Sequence, residues 1–414
     1  MPAGEIARRN LLEKIESSFR SYGFVPIDTP ALEYAEILLG KGGGDTEKQI
    51  YRFTDNGGRD VALRFDLTVP FARFLAEHRA ELDFPFKRYH IAKVWRGENT
   101  QRGRFREFTQ CDFDTVGSDS ASCDFEILHV MCRALLAVSG GGIVIRMNHR
   151  GVFNRFLSRL GLLDKSIDIL RTVDKLGKIG KDETFRLLSE NTGDEKAREI
   201  LDFIGISGSY EETLAAMTAA AGAGPETERL GQIRQYMLDA RIGDSVVLDP
   251  SITRGLDYYT GVVFESFLAD LSGIGSVCSG GRYDNLVGLY SKAPLVGVGA
   301  SIGIDRLIAG LEALGRLEAE KSYARIAMAC VSEAAAGACQ VLAEKLREKG
   351  IPCEVFLGQD KLSRQYQTAE KKGLKWLIIP DTENPLTGPL TLRDLSKREN
   401  REGLTVEEVI EFLN

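Results

Sequence analysis

Arginine is the residue whose placement first suggests chemistry in this chain. Arg64, Arg96, Arg104, Arg106, Arg254, Arg282 and Arg306 lie in or beside segments that read as sheet strands. A guanidinium keeps its proton, and an unpaired buried charge is costly, so a sheet face carrying several of them must offer anions. Two kinds of anion meet that need. Acids of the same segments, such as Asp66, Glu107, Asp112 and Asp257, could pair internally. A polyphosphate could instead be gripped bidentately, and the number of arginines points to such a platform. The stretch RGLDYYTGVVFE, Arg254 to Glu265, adds adjacent phenols to a permanent cation. A strand that only fills a core needs neither.

Other chemistries find less support. Seven cysteines, an odd number without a CxxC pair, argue against a disulfide framework and against a thiolate zinc site. His78, His90, His129 and His149 lack metalloprotease spacing and read as structural. GKGGGDTEK at 40–48 lacks the spacing of a P-loop, and GVGASIGIDR contains a GxG that matches no dinucleotide fingerprint. A nucleotide site would therefore rest on arginines and an antiparallel sheet. The net charge of −7 neither advertises nor excludes a nucleic-acid partner, because a local basic face can hide in a global sum.

The elements that must position these residues form a recognisable order. A chain of 414 residues, 43% hydrophobic and 27% charged, is that of a soluble protein with more than one domain. Apolar runs fall short of the roughly 20 residues of a membrane helix. The opening MPAGEIARRNLLEKIESSFR reads as an amphipathic helix over 5–22 rather than a signal core. A cytoplasmic protein without a membrane association is the expectation. From 50 to 117 the pattern is short strands and turns, and 119–139 reads as a helix. Leu, Ala, Glu and Lys dominate 161–242, which reads as an all-helical insertion. Strands resume at 243, joined by hairpin-like loops and therefore mostly antiparallel. Beyond 323, strand and helix alternate as in a separate small α/β domain. The expected class is α+β: a mostly antiparallel sheet core (1–160 and 243–318), a helical insertion (161–242) and a C-terminal α/β domain (323–414).

Together these segments resemble the class II aminoacyl-tRNA synthetases. FKRYHIAKVWRGENTQRGRFREFTQCDFDTVG is similar to their motif 2, GVGASIGIDRL to motif 3, and PIDTPALEY to motif 1, which builds a dimer interface. RGLDYYTGVVFE and SGGRYDNLVG resemble two signatures of the histidyl-tRNA synthetase family, and the likeness spans the chain. It implies an ATP-dependent histidine–tRNA ligase, homodimeric, with Mg²⁺ accompanying ATP at ligands the sequence does not single out. It assigns Arg254 and Arg96 to the α-phosphate, Arg104 and Arg306 to the outer phosphates, Phe108 to stacking on adenine and Glu98 to the adenine side. Asp66 and Thr68 would hold the α-amino group, with Gln110 a further contact. Many bacterial members carry glutamate at the place of Asp66. Asp114 and Tyr259 would serve the imidazole, and Tyr258 and Tyr283 complete its pocket.

The pairing of a carboxylate with a phenol makes chemical sense by itself. Neutral imidazole offers one donor and one acceptor, and an apolar analogue would leave both partners buried and unpaired. The C-terminal domain resembles an anticodon-binding domain that would contact tRNA(His). Its Lys361, Arg364, Lys371, Lys372 and Lys375 gather around one helix, a pattern that a solvated face explains equally well. The alternative is a catalytically silent paralogue that regulates histidine biosynthesis. Such relatives usually lack the C-terminal domain and the signatures kept here at Arg96, Arg254, Tyr259 and Arg306. A ligase for another amino acid is opposed by Asp114 and the tyrosine pair.

Overall fold

The computed structural model describes residues 1–39, 48–253, 259–284, 287–290, 295–318, 320–358 and 360–414. Arg254 and Tyr258 lie outside the described residues. The chain forms two compact units, Leu11–Leu317 and Glu318–Asn414 with Met1–Asn10.

The larger unit is built on an eight-stranded sheet. Its strands are β1 (Val25–Pro26), β5 (Phe86–Trp95), β6 (Glu107–Val116), β7 (Ile143–His149), β8 (Val246–Leu248), β9 (Val262–Leu268), β10 (Cys278–Tyr283) and β11 (Gly297–Gly303). In space they run β1-β5-β6-β11-β10-β9-β7-β8. The six inner strands pair antiparallel, and only the outermost strand at each end joins in parallel. A second sheet of three short strands, β2 (Leu32–Tyr34), β3 (Arg52–Thr54) and β4 (Asp60–Leu63), runs β2-β4-β3.

Strand alternation gives the large sheet two chemically different faces. Cys111, Phe113, Ala300, Ile302, Phe264 and Met147 share one face and one buried cluster. The helix Ala121–Ser139 covers them with Ile127, Leu128, Met131 and Leu135, and Ile15 and Phe19 join the same cluster. That helix is delimited locally. The Ser120 hydroxyl accepts from the Ser122 amide at 3.1 Å at its start, and Gly140 closes it in the left-handed region at φ 68°.

Residues 163–239 sit between β7 and β8 in the chain and are helical. Ser209 and Glu212 form a reciprocal capping box at the start of the helix Tyr210–Ala221. Ile169, Leu188, Ile200, Phe203 and Ile233 join the buried cluster of the sheet, so the larger unit has one continuous core.

One helix of this unit departs from expectation. Thr68–His78 is helical, where the sequence reads as strands and turns. Pro70 and the short apolar run misdirect that reading. Proline is tolerated in a first helical turn, whose amide has no intrahelical acceptor. Asp66 Oδ1 accepts instead from the amides of Thr68 at 3.0 Å and Val69 at 2.8 Å, which fixes the start of the helix.

The smaller unit carries a five-stranded sheet in the order β13-β12-β14-β15-β16, formed by β12 (Ile326–Met328), β13 (Cys353–Val355), β14 (Trp376–Ile379), β15 (Leu390–Asp394) and β16 (Glu399–Leu404). Helices Glu333–Arg347 and Leu362–Lys372 connect the parallel strands. Alternation of strand and helix is as expected up to β14, and the β15–β16 hairpin is an addition to it.

Candidate active site

Register sets the polar face of the large sheet in rows. One row places His90, Asp112, Ser301, Ser279 and Glu265 on neighbouring strands at directly paired positions. The next row is Arg88, Asp114, Gly299, Gly281 and Val263. Gln110 pairs with Gly303, and its Nε2 donates to Ser301 Oγ at 2.7 Å. Glycine in the second row is a matter of space. A Cβ on Gly299 would stand 2.0 Å from Asp114 Oδ1, and one on Gly281 would stand 2.9 Å from the Tyr259 ring.

A cleft of about 330 Å³ lies over this face. Asp66, Thr68, Gln110 and Tyr259 line it, as do Arg96, Glu98, Arg104, Phe108 and Arg306. The expected amino-acid and nucleotide contacts among them are thus gathered in one cavity. Arg96 stands over the rings of Phe65 at 4.3 Å and Phe108 at 5.1 Å, and its Nε donates to Phe65 O at 3.1 Å. Arg104 is paired with Glu98. Arg306 Nη1 donates to Ser276 O at 2.6 Å.

Asp114 and Tyr283 do not line this cleft. Both are buried, and the Tyr283 hydroxyl donates to Asp114 Oδ1 at 2.7 Å. Behind them is a residue that the sequence reading missed. Arg88 is fully buried, with Nη2 2.7 Å from Asp114 Oδ2 and 4.0 Å from Asp112 Oδ2, and its guanidinium lies 4.1 Å from the Phe71 ring. Strand parity was the available signal: Arg88 pairs directly with Asp114 across β5 and β6. The same parity reveals Glu265, Ser279 and Ser301, which also line the cleft.

The electrostatics favour a cationic guest. Burial pushes the carboxyls of Asp66 and Asp114 above the usual carboxylate range, and Arg88 opposes this at Asp114. At Asp112 burial prevails over the more distant Arg88 and takes the carboxyl up to about 7. Gln110 Oε1 and Asp112 Oδ1 are buried and have no hydrogen-bond partner among the described residues. A guest ammonium or N–H would satisfy such acceptors.

The seven arginines divide. Arg282 lies on the helix side of β10, 2.7 Å from Asp124, because residues 278, 280 and 282 face away from the cleft. Arg64 donates to Thr29 O at 2.6 Å and Lys93 O at 2.8 Å. Arg106 is exposed and donates weakly to Glu98 O at 3.4 Å. Among the described residues the polyphosphate platform thus reduces to Arg96, Arg104 and Arg306. No group of three or more His, Cys, Asp or Glu side chains among the described residues could hold a metal alone.

A model of the histidyl-tRNA synthetase family matches residues 1–307, and one of the anticodon-binding domain matches residues 325–414. The histidine–tRNA ligase of Treponema denticola is 51% identical over 96% of this chain and 92% of its own. That of Rhodopirellula baltica is 45% identical over 97% of this chain and 92% of its own. The crystal structure of histidyl-tRNA synthetase from Nostoc superposes with a TM-score of 0.89 at 30% identity, covering 100% of this chain and 96% of that one. With a cleft whose lining matches the family's motifs and matches of this length, the chain belongs to the histidyl-tRNA synthetase family.

Proposed function

We propose that the chain is a histidine–tRNA ligase: it joins histidine to ATP as histidyl-adenylate, releasing pyrophosphate, and passes histidine to the 3′-terminal ribose of tRNA(His). The observation that carries this reading is the meeting of two kinds of site on one sheet face. Buried acceptors at Asp66, Gln110 and Asp112 adjoin a cluster of phosphate-seeking arginines at Arg96, Arg104 and Arg306. No covalent enzyme intermediate is required, so positioning and electrostatic stabilisation do the work.

In this reading Asp66, Thr68 and Gln110 hold the α-amino end of histidine. Asp114, Tyr259 and Tyr283, with Tyr258, address the imidazole, and Arg88 fixes the charge and orientation of Asp114. Arg96 and Arg254 stabilise the α-phosphate, Arg104 and Arg306 the outer phosphates, and Phe108 and Glu98 the adenine. A Mg²⁺ ion fits this chain only as one held largely by substrate phosphates, with Glu265 the cleft-floor carboxylate able to join them. When bound, it would neutralise phosphate charge.

We assign the catalytic core to 1–160 and 243–318, the insertion to 161–242 and anticodon binding to 323–414. The proposed setting is the cytoplasm, and the proposed assembly a homodimer. Val25 on an outermost strand, with Leu32, Tyr34 and Phe53, is an exposed apolar group in and near the motif 1 segment that a second copy would cover. A regulatory paralogue is disfavoured by the arginines kept in the cleft and by the anticodon-domain match.

ATP–pyrophosphate exchange, run separately with each amino acid, tests the proposal. Histidine alone should drive exchange, and Arg254→Ala should abolish it. Exchange with another amino acid would overturn the pocket assignment, and exchange with none would turn the reading to the regulatory paralogue.

A further inference from the structure

A second cavity, of about 900 Å³, adjoins the cleft and shares Arg104, Tyr259 and Arg306 with it. One of its walls is a single face of the helical stretch after residue 165. Ile167, Leu170, Arg171, Asp174, Lys175 and Lys178 recur there at helical spacing. Along this face the side chains change from apolar to basic. Arg102 and Arg150 add positive charge from other walls, and Asp174 is the sole acid lining the cavity among the described residues. Lys175 and Lys178 are exposed, and neither forms an ion pair with another described residue. A wall so one-sided in charge selects anions.

We propose that this cavity receives the inorganic pyrophosphate displaced in adenylate formation, with Lys175 and Lys178 as its contacts; the inference rests on the ligase reading above. In that step a carboxylate oxygen of the amino acid bonds to the α-phosphorus of ATP. The bond from that phosphorus to the bridging oxygen breaks, and its electron pair leaves with the pyrophosphate. The leaving group thus carries more negative charge free than it did while bonded, and it calls for additional cations. Arg104 and Arg306 border both cavities, so pyrophosphate stays in contact with positive charge from cleft to vestibule. Lysine suits a release site, because a mobile point charge attracts phosphate without the fixed fork that holds it.

The test is the double variant Lys175→Gln/Lys178→Gln, compared with Lys175→Arg/Lys178→Arg. Three constants are measured: KM for pyrophosphate in ATP formation from histidyl-adenylate, KM for ATP in the forward step, and KM for tRNA(His) in aminoacylation. The expected result is a rise of about tenfold in KM for pyrophosphate, the loss of one charge-assisted contact, with the other constants within about twofold and partial rescue by arginine. A rise confined to tRNA(His) would overturn the proposal and give the cavity to the RNA backbone. No change in any constant would make the lysines a solvated face. Failure of the ligase reading is distinguishable, because the wild-type protein would then form no adenylate at all.

Discussion

Replacing Arg88 with methionine removes the one cation that is buried with Asp112 and Asp114 and keeps nearly the same volume. Taking away one partner of a buried ion pair costs about 3–5 kcal/mol, since the remaining charge has no water to return to. The loss must depend on pH, and its sign follows from proton counting. Between 3.8 and about 7 the folded protein keeps a proton on Asp112 that the unfolded chain has released, so stability falls as pH rises through that window. Without Arg88 the carboxyls of Asp112 and Asp114 are raised further, and the window extends to higher pH. Near pH 6 Asp112 is already largely protonated in the parent, so the variant should lose only about 2 kcal/mol, against about 4 kcal/mol near pH 8.5. The chain has two tryptophans, Trp95 in the larger unit and Trp376 in the smaller. Urea unfolding followed by Trp95 fluorescence in a Trp376→Phe background therefore reports on the relevant unit. An equal loss at both pH values, or a larger one at the lower, would refute the electrostatic account.

Two further outcomes follow from the same face. Gly299→Ala places a methyl group 2.0 Å from Asp114 Oδ1 and 2.8 Å from the Phe113 carbonyl, which cannot move aside, so histidine-dependent exchange should fall by about 100-fold or more. Gly231→Ala, where a Cβ meets nothing within 4 Å, serves as the control with unchanged exchange and circular dichroism. Histidine binding near pH 7 should release protons, because an α-ammonium beside Asp112 favours its charged form and draws its pKa below about 7. Calorimetry in buffers of different ionisation enthalpy reads the number directly, and net proton uptake would contradict the assigned pose.

Much of the architecture was legible because period and punctuation agree with it. The shift from aromatic strands to Leu-, Ala-, Glu- and Lys-rich helices near residue 161 is a change of hydrophobic period, and the larger unit changes there from sheet to helices. The β15–β16 hairpin was not legible. Glu399 to Asn400 and on to Gly403 are exposed, so β16 lacks the apolar alternation by which a strand is recognised. At the site, residue types alone could nominate Arg282 and Arg64 for phosphate, but not tell on which side of a sheet a guanidinium emerges. Arg282 emerges on the helix side, where Asp124 awaits it. Arg88 went unnoticed for the converse reason: in FKRYHIAK it looks like one more basic residue of a surface strand, and only its register opposite Asp114 reveals that it is interior.

Asp124 also has a mechanical consequence. Its carboxylate is fully buried and held from two sides, by Arg282 of the strand that carries Tyr283 and, at 2.5 Å, by Arg229 of the helix Pro225–Asp239 in the insertion. Pulling the helix away would strip the acid of one counter-charge in a place water does not reach, at a cost of several kcal/mol. The insertion is therefore riveted to the floor of the catalytic sheet at this point. Strain applied to its last helix is delivered to the strand beneath the histidine pocket.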